Sequence, residues 1–336
     1  MPVIKTQNLT KEFKVFEKQP GLGGAFRNLF NRKAKKVLAV DSINLEIQEG
    51  EIVGFLGPNG AGKTTTLKML SGLVFPTRGT AEVLGYTPWK RPIEFRKAFS
   101  LVMGQKNQLW WDLPASDSFF LLREIYGIDR KKFASTVDEL TTLFQCRDLL
   151  AQPVRELSLG ERMKMELTAA LLHEPKLLLL DEPTIGLDVV AQSSIHKFLE
   201  EYNRSRKITI LMTSHYMRDV ERLCSRVVII SSGKMVYDGT LDGIKKRHGN
   251  EKTIRVLFRK QVSPGILPGL QASEVRGEEL QWHVSREEIP KFISHLAGRD
   301  DVVDISIEDP PIEEVISKFF QSQVIQAPTL PAQVES

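Results

Sequence analysis

The order of apolar and polar positions in the first part of the chain indicates an α/β fold. Short apolar runs of strand length occur at 51–57, 177–180 and 208–212, and the first runs into a glycine-rich turn. Helical periodicity follows in 64–73 and recurs over 114–150, where apolar residues return every three or four positions. Strands that alternate with helices in this way predict a parallel sheet with a helical insertion.

A different pattern begins after residue 240. Segments 254–258, 280–284 and 303–307 alternate apolar and polar residues, which predicts half-buried strands. Ser285 and Glu288 precede an apolar helical face at the spacing of a capping box. We therefore expect a small α+β domain, in which we find no cluster of catalytic side chains.

These changes of pattern set the expected domain boundaries. Residues 1–240 form one domain, whose helical subdomain spans about 106–160. Pro311 opens a second amphipathic helix, so the small α+β domain is expected to cover 241–321. Residues 322–336 are expected to be a disordered tail.

Composition narrows the class of protein. The chain has 46 Lys and Arg against 42 Asp and Glu, a net charge of +4, so no nucleic-acid partner is expected. Two cysteines, Cys146 and Cys224, are too few for a disulfide framework and fit a reducing, cytosolic setting. No apolar run approaches the roughly 18–20 residues that a membrane span requires.

A phosphate-binding loop stands between the first apolar run and the helix after it. The pattern G-x-x-x-x-G-K-[ST] is matched by Gly57, Pro58, Asn59, Gly60, Ala61, Gly62, Lys63 and Thr64, with Thr65 next in the helix. The glycines let backbone N–H groups turn toward phosphates, and the helix N-terminus favours negative charge there. Lys63 would reach the β- and γ-phosphates, and the Thr64 hydroxyl would bind Mg²⁺.

Two adjacent carboxylates follow the apolar run at 177–180. Asp181 is expected to bind the metal ion, and Glu182 to orient or activate a water molecule. Paired acids after a strand also serve as helix N-caps. The phosphate loop earlier in the chain favours the catalytic interpretation.

The order of motifs resembles the nucleotide-binding subunit of ABC transporters, over residues 1 to about 240. Residues 157–161, Leu-Ser-Leu-Gly-Glu, stand where that family has its signature segment, ahead of the Asp181 strand. Gln105 stands at the Q-loop, and residues 185–188, Ile-Gly-Leu-Asp, resemble the D-loop. His215 resembles the switch histidine.

The resemblance implies an ATPase that uses ATP and Mg²⁺. Two such subunits would close head-to-tail, with each ATP held by one phosphate loop and by Ser158 and Gly160 of the other subunit. Glu182 would act as the base toward water and His215 would contact the γ-phosphate. Gln105 would bind the metal ion and relay closure to a membrane permease. The partner ATPase could be a second copy or a different chain.

Several positions depart from the family pattern. Leu159 and Glu161 replace Gly and Gln in the signature segment, and Glu161 would bring like charge toward the partner's phosphates. Phe13, with Phe16 as the alternative, stands where the family has its adenine-stacking aromatic, although a core role is also open. Residues 14–36 are predicted to form a basic, partly helical loop longer than usual in the family.

The resemblance is strongest with the ABC-2 exporter branch, which suggests an ATPase at the cytoplasmic face of a membrane beside a separate permease. An importer ATPase and a soluble ABC ATPase outside transport are the alternatives. Trp110 and Trp111 are adjacent, so one is expected to be exposed and either to contact the permease or to pack in the helical subdomain. The sequence does not identify the transported substrate, because the resemblance implies that the membrane subunit selects it.

Overall fold

The structure is a computed structural model, which describes residues 2–16, 34–214, 216–248, 251–267, 270–310 and 314–316. It divides into two compact units, Met1–Asp238 and Gly239–Ser336. The expected tail at 322–336 and His215 lie outside the described residues.

The strands and helices described up to residue 240 include those that the sequence pattern predicts at 51–57, 64–73, 114–150, 177–180 and 208–212. The strands are β1 (Pro2–Phe16), β2 (Ala34–Ile43), β3 (Glu46–Gln48), β4 (Ile52–Leu56), β5 (Arg78–Val83), β6 (Phe99–Met103), β7 (Leu177–Asp181), β8 (Thr209–Thr213), β9 (Arg226–Ser231) and β10 (Lys234–Thr240). The helices are α1 (Lys63–Leu70), α2 (Ile93–Ala98), α3 (Ala115–Tyr126), α4 (Arg130–Leu143), α5 (Leu159–Leu171), α6 (Val189–Arg206) and α7 (Met217–Leu223).

The central sheet has the strand order β10-β9-β4-β8-β7-β6. Its strands from β9 to β6 are parallel, and Met103, Asp181 and Thr213 lie side by side in register. The carboxyl ends of these strands therefore meet at one edge of the sheet, which brings distant motifs together. The predicted parallel α/β fold is confirmed.

A second, antiparallel sheet has the order β2-β1-β3, and β5 also pairs with β1. Its buried side chains share one core with α1 and β4, which fixes the position of the phosphate loop. β1 continues through Phe16, opposite Ala34 of β2. The loop predicted for 14–36 was therefore wrong at both ends, because these residues pair as strands; residues 17–33 lie outside the described ranges.

The helical insertion lies between β6 and β7. Helices α3 and α4 are joined by a short turn in which the Asp129 carboxylate accepts hydrogen bonds from the N–H groups of Lys131 and Lys132, and so caps α4. The signature segment then leads into α5. This order places α5 directly ahead of β7 in the chain.

The second unit is a small α+β domain. It contains α8 (Leu241–His248), β11 (Glu251–Phe258), β12 (Glu274–Arg276), β13 (Glu279–Ser285), α9 (Ile289–Leu296) and β14 (Val302–Glu308). The antiparallel sheet has the order β12-β13-β11-β14, and Phe292 of α9 packs edge-on against Trp282 of β13.

The predicted capping box at Ser285 was wrong. The Ser285 hydroxyl donates to the Glu288 carboxylate at 2.6 Å, but α9 begins only at Ile289, with Glu288 as an N-cap whose side chain accepts no capping bond. Pro290 in the first turn explains the later start, because its fixed φ suits that position and it has no N–H to be capped.

Candidate functional site

The phosphate loop, residues 57–62, joins β4 to α1 and packs tightly against neighbouring backbone. A Cβ atom at Gly62, where φ is +107°, would lie 2.3 Å from the carbonyl oxygen of Ala39. A Cβ atom at Gly57 would lie 2.3 Å from the carbonyl oxygen of Ile230. Only glycine fits at these two positions, so the loop keeps its backbone available to a ligand.

Lys63 is the first residue of α1, and its side chain is bonded to the phosphate loop. Its Nζ atom donates to the carbonyl oxygen of Gly57 at 2.7 Å and to that of Pro58 at 3.2 Å. Burial lowers the pKa of Lys63 from its usual range, while the nearby Glu182 and Asp181 carboxylates act in the opposite direction. The ammonium group is therefore positioned by backbone carbonyls between the loop and the two acids.

Asp181 joins the loop to the edge of the sheet. Its Oδ1 atom accepts hydrogen bonds from the Thr64 hydroxyl at 3.1 Å and from the Thr213 hydroxyl at 2.8 Å. Thr64 and Asp181 thus offer neighbouring hard oxygen donors, which fit Mg²⁺. Among the described residues no group of three or more His, Cys, Asp or Glu side chains could hold a metal ion. Mg²⁺ in phosphate sites is usually bound by one or two protein groups together with substrate phosphates and water.

Glu182 occupies a conformation that non-glycine residues rarely adopt. Its φ is +55°, and its N–H donates to both the carbonyl and the hydroxyl oxygen of Thr213. Such backbone strain concentrates at functional sites. The Glu182 carbonyl is packed against Gly104, where a Cβ atom would lie 2.1 Å from the carbonyl oxygen.

Gln105 follows Gly104 in the turn after β6 and is exposed. The Gly104 N–H donates to the Asp181 backbone carbonyl at 2.8 Å, so this turn is bonded to the backbone of the residues that carry the two carboxylates. The position of Gln105 beside the acidic pair agrees with its predicted role, which stays a prediction. The need for glycine at 104 was missed, because a lone glycine carries no such signal in the sequence.

The signature segment forms the start of α5. The Ser158 hydroxyl accepts a hydrogen bond from the Glu161 N–H, and the Glu161 carboxylate accepts from the Ser158 N–H at 2.9 Å and its hydroxyl at 2.7 Å. These bonds form a capping box. Glu161 therefore stabilises the helix start within its own chain, a role that the sequence analysis did not assign to it.

Leu159 and Gly160 of this segment lie against the residues that follow Glu182, Leu159 at the D-loop segment and Gly160 at the first turn of α6. A Cβ atom at Gly160 would lie 2.7 Å from the Cβ of Ala191, and one at Gly186 would lie 3.0 Å from a Leu159 methyl group. Asp188 caps the next helix, α6, by accepting from the Ala191 N–H. Leu159 thus packs against the D-loop segment, which gives this departure from the family pattern a structural role.

The capping box predicts a pH-dependent contribution to stability. The hydrogen bonds from Ser158 hold the pKa of Glu161 below its usual range. A lowered folded-state pKa means that the stabilisation is present above the unfolded value of about 4.3 and is lost as pH falls through the folded value. Glu161→Ala should lower the free energy of unfolding at pH 7 by about 1 kcal/mol, and the difference from wild type should shrink as pH falls below about 4.

Urea unfolding of wild type and variant at several pH values measures this effect. Glu161→Gln is the matched control, because a Gln side chain can keep the capping bond without titrating. A difference between wild type and Glu161→Ala that stays constant from about pH 7 to about pH 3 would contradict the assignment.

Glu166 is a further residue that the sequence analysis missed. It is buried on α5, and its carboxylate accepts from the backbone N–H of Gln108 at 2.8 Å and from that of Leu109 at 3.3 Å. Burial raises its pKa, and these hydrogen bonds act in the opposite direction. The signature helix and the segment after Gln105 are therefore directly linked. A charged residue on an amphipathic helix looks like a surface residue in sequence, so this link gave no signal.

Phe13 is 37% exposed on β1, and the Lys11 ammonium lies 5.0 Å from its ring centroid. A partly exposed ring is available for stacking, which agrees with the predicted contact to adenine.

The remaining predicted site residues fall into two groups. One group lies around the end of β7 and consists of Lys63, Thr64, Asp181 and Glu182. The other group, Ser158 and Gly160, lies at the start of α5.

Comparison with known proteins identifies the family. The family described as ABC transporter matches residues 40–185. The ABC transporter ATP-binding protein NatA of Bacillus subtilis is 34% identical over 237 residues, which cover 70% of this chain and 96% of NatA. This chain belongs to the ABC transporter family. As an ATP-binding cassette of that family, it hydrolyses ATP.

Other members of the ABC transporter family show the same likeness. The Nod factor export ATP-binding protein I of Cupriavidus metallidurans is 32% identical over 268 residues, covering 79% of this chain and 87% of that protein. A solved ATP-binding subunit of an ABC transporter superposes with a TM-score of 0.61 at 26% identity, covering 74% of this chain and 93% of that one. ABC ATP-binding subunits dimerise and work with membrane permeases. In the described part of this chain, no helix is long and apolar enough to span a membrane.

Proposed function

We propose that this chain is the ATP-hydrolysing subunit of an exporter of the ABC-2 branch whose permease is a separate polypeptide. The observation that carries the proposal is the junction at Asp181, where the Thr64 and Thr213 hydroxyls meet one carboxylate oxygen beside Glu182. The family and a relative named for export support the transport part.

The site residues divide the chemistry among them. The backbone of residues 57–62 and the Lys63 ammonium bind the phosphates, and Phe13 stacks on adenine. Thr64, Asp181 and Gln105 hold Mg²⁺, which neutralises charge on the phosphate oxygens when bound. Glu182 takes a proton from water as the water oxygen bonds to the γ-phosphorus, and the bond from that phosphorus to the bridging oxygen breaks, which leaves ADP and phosphate.

The second subunit completes the site. Ser158 and Gly160 of one subunit contact the ATP held by the phosphate loop of the other, at the N-terminus of α5, where the helix dipole favours negative charge. The capping box supports this arrangement, because it fixes the start of α5 before any ligand is present. The His215 contact to the γ-phosphate belongs to the same proposal.

An exposed apolar surface on the helical subdomain is the proposed contact with the permease. Trp110 and Trp111 are each 46% exposed, and Phe120 and Ile125 of α3 are also exposed. The Arg162 guanidinium lies 5.5 Å from the Trp111 ring centroid, so a contact at Trp111 would reach the signature helix. Large apolar side chains exposed on one subdomain are a feature of protein interfaces. Binding there would place the chain at the cytoplasmic face of the membrane.

Purification of the tagged Glu182→Gln variant from its native cells tests the proposal. Membranes are solubilised in mild detergent with ATP and Mg²⁺, and bound proteins are identified by mass spectrometry. We expect a stoichiometric multi-span protein, and a second ATPase only if the dimer is mixed. Trp110→Ala with Trp111→Ala should reduce its capture at least about tenfold.

Val275→Ala is the matched control, since it also truncates an exposed apolar residue but lies in the second unit. Capture of ribosomal or DNA-repair proteins without a multi-span protein would overturn the export proposal in favour of a soluble ATPase. Co-purification of a solute-binding protein with the permease would identify an importer.

A further inference from the structure

A buried carboxylate behind the ATP site is not explained by any role described above. Asp219 lies on α7 and has no exposed surface. A buried charge requires hydrogen bonds or an opposite charge, because transfer out of water is otherwise strongly unfavourable. Its partners therefore show what the group holds in place.

Both oxygens of Asp219 have polar neighbours. Oδ2 accepts a hydrogen bond from the Thr184 hydroxyl and another, at 2.7 Å, from the Ser214 hydroxyl. Oδ1 lies 2.8 Å from Nε2 of His196, a buried residue of α6. Burial acts to raise the pKa of Asp219, but the contacts with His196, Thr184 and Ser214 outweigh it and hold the pKa below its usual range.

The two hydroxyl donors lie on the two loops that carry predicted catalytic residues. Thr184 follows Glu182 by two positions, in the loop after β7. Ser214 follows β8, directly before position 215, and its hydroxyl oxygen also accepts from the Tyr216 N–H at 2.9 Å. One carboxylate oxygen therefore connects the Glu182 loop with Ser214, which is in turn bonded to Tyr216 on the other side of position 215.

The same loop reaches the signature segment. Gly186, two residues beyond Thr184, lies against the side chain of Leu159. A displacement of Thr184 would therefore displace both Glu182 and the start of α5. A buried group that only stabilised the core would not need both donors to come from these loops.

We infer that Asp219, supported by His196, is a positioning residue that fixes the loop after β7 relative to the loop after β8 for ATP hydrolysis. The inference rests on the proposed function of Glu182 and its neighbours. It predicts that loss of either hydroxyl hydrogen bond should lower kcat more than it weakens nucleotide binding. Binding should be affected less because the phosphate loop joins β4 to α1 and is not part of either loop.

Steady-state ATPase kinetics of Thr184→Val and Ser214→Ala test the inference. Each removes one hydroxyl donor and leaves the carboxylate in place. We expect kcat to fall about tenfold, because small displacements of reacting groups have large effects on rate, while KM for ATP stays within about twofold. Thr168→Val is the matched control: its buried hydroxyl donates to the Lys164 carbonyl at 2.8 Å within α5 and not to either loop, so kcat should not change.

A double-mutant cycle tests whether Asp219 is the common acceptor. In an Asp219→Ala background, Thr184→Val should have no further effect on kcat, because the acceptor is already gone. Equal losses in both backgrounds would overturn the inference. If Asp219→Ala does not fold, the hydroxyl variants still decide it.

Lower melting temperatures with unchanged kcat for Thr184→Val and Ser214→Ala would show a structural role only and would also overturn the inference. ATP hydrolysis by Glu182→Gln at the wild-type rate would instead contradict the proposed function of Glu182. The two failures are therefore distinguishable.

Discussion

The Glu182→Gln variant should bind ATP with nearly wild-type affinity and hydrolyse it about 10²–10⁴ times more slowly. The amide is close in shape to the carboxylate, but it cannot accept a proton from the attacking water. The backbone position is kept by bonds that do not involve the side chain, because the Glu182 N–H donates to Thr213 and Gly104 packs against the Glu182 carbonyl. The loss should therefore appear in kcat and not in the fold.

The variant should also accumulate as an ATP-bound dimer. Removing a negative charge beside the phosphates lowers repulsion in the closed state, and slow hydrolysis prevents its reopening. Nucleotide titration, phosphate release and light scattering measure the three quantities. Glu200→Gln, an exposed residue of α6, is the matched control and should behave as wild type. Hydrolysis by Glu182→Gln at the wild-type rate would exclude Glu182 as the catalytic base.

The parallel fold and the ATP-binding family were predictable because both depend on local pattern. Apolar runs of strand length ended at the loop of 57–64 and at Asp181, and parallel strands must place these ends at one edge. The structure confirms the fold class and joins Thr64 to Asp181 across 117 residues of sequence. The ABC family is confirmed by the comparisons, while the roles of individual site residues stay predictions.

The details that the sequence did not predict depend on contacts between distant residues. Glu161 looked like a source of repulsion at the partner's phosphates, whereas its carboxylate bonds to Ser158 in its own helix. Asp219 and Glu166 lie on amphipathic helices, where acids usually face solvent. Only the packing of α7 and α5 shows that both are buried. The Ser285 prediction failed for a local reason, since Pro290 favours a helix that begins at Ile289 over one capped by Ser285.

The Lys63→Ala variant should lose ATP affinity by about a hundredfold. The ammonium group donates to the carbonyl oxygens of Gly57 and Pro58, so it is already held at the mouth of the loop when phosphate arrives. A charge-assisted hydrogen bond contributes about 1.5–3 kcal/mol, and 1.4 kcal/mol corresponds to a tenfold change in affinity. The upper end of that range applies, because Lys63 is buried and the alanine leaves the phosphates beside two uncompensated carboxylates.

Equilibrium binding of ATP, measured by calorimetry with Mg²⁺, separates this effect from catalysis. Lys68→Ala is the matched control, because it removes the same charge from α1 in its last turn, beyond the loop. Lys63→Arg should recover little affinity, since the planar guanidinium has different donor geometry from a compact ammonium.

The kcat of Lys63→Ala at saturating ATP shows whether Lys63 also acts in the chemical step. Weaker binding with unchanged kcat would mean that Lys63 only binds ATP in the ground state. A loss in both would show that the ammonium also stabilises charge as the γ-phosphate is transferred, because only interactions that strengthen in the transition state raise kcat. Unchanged affinity in Lys63→Ala would exclude residues 57–64 as the phosphate site.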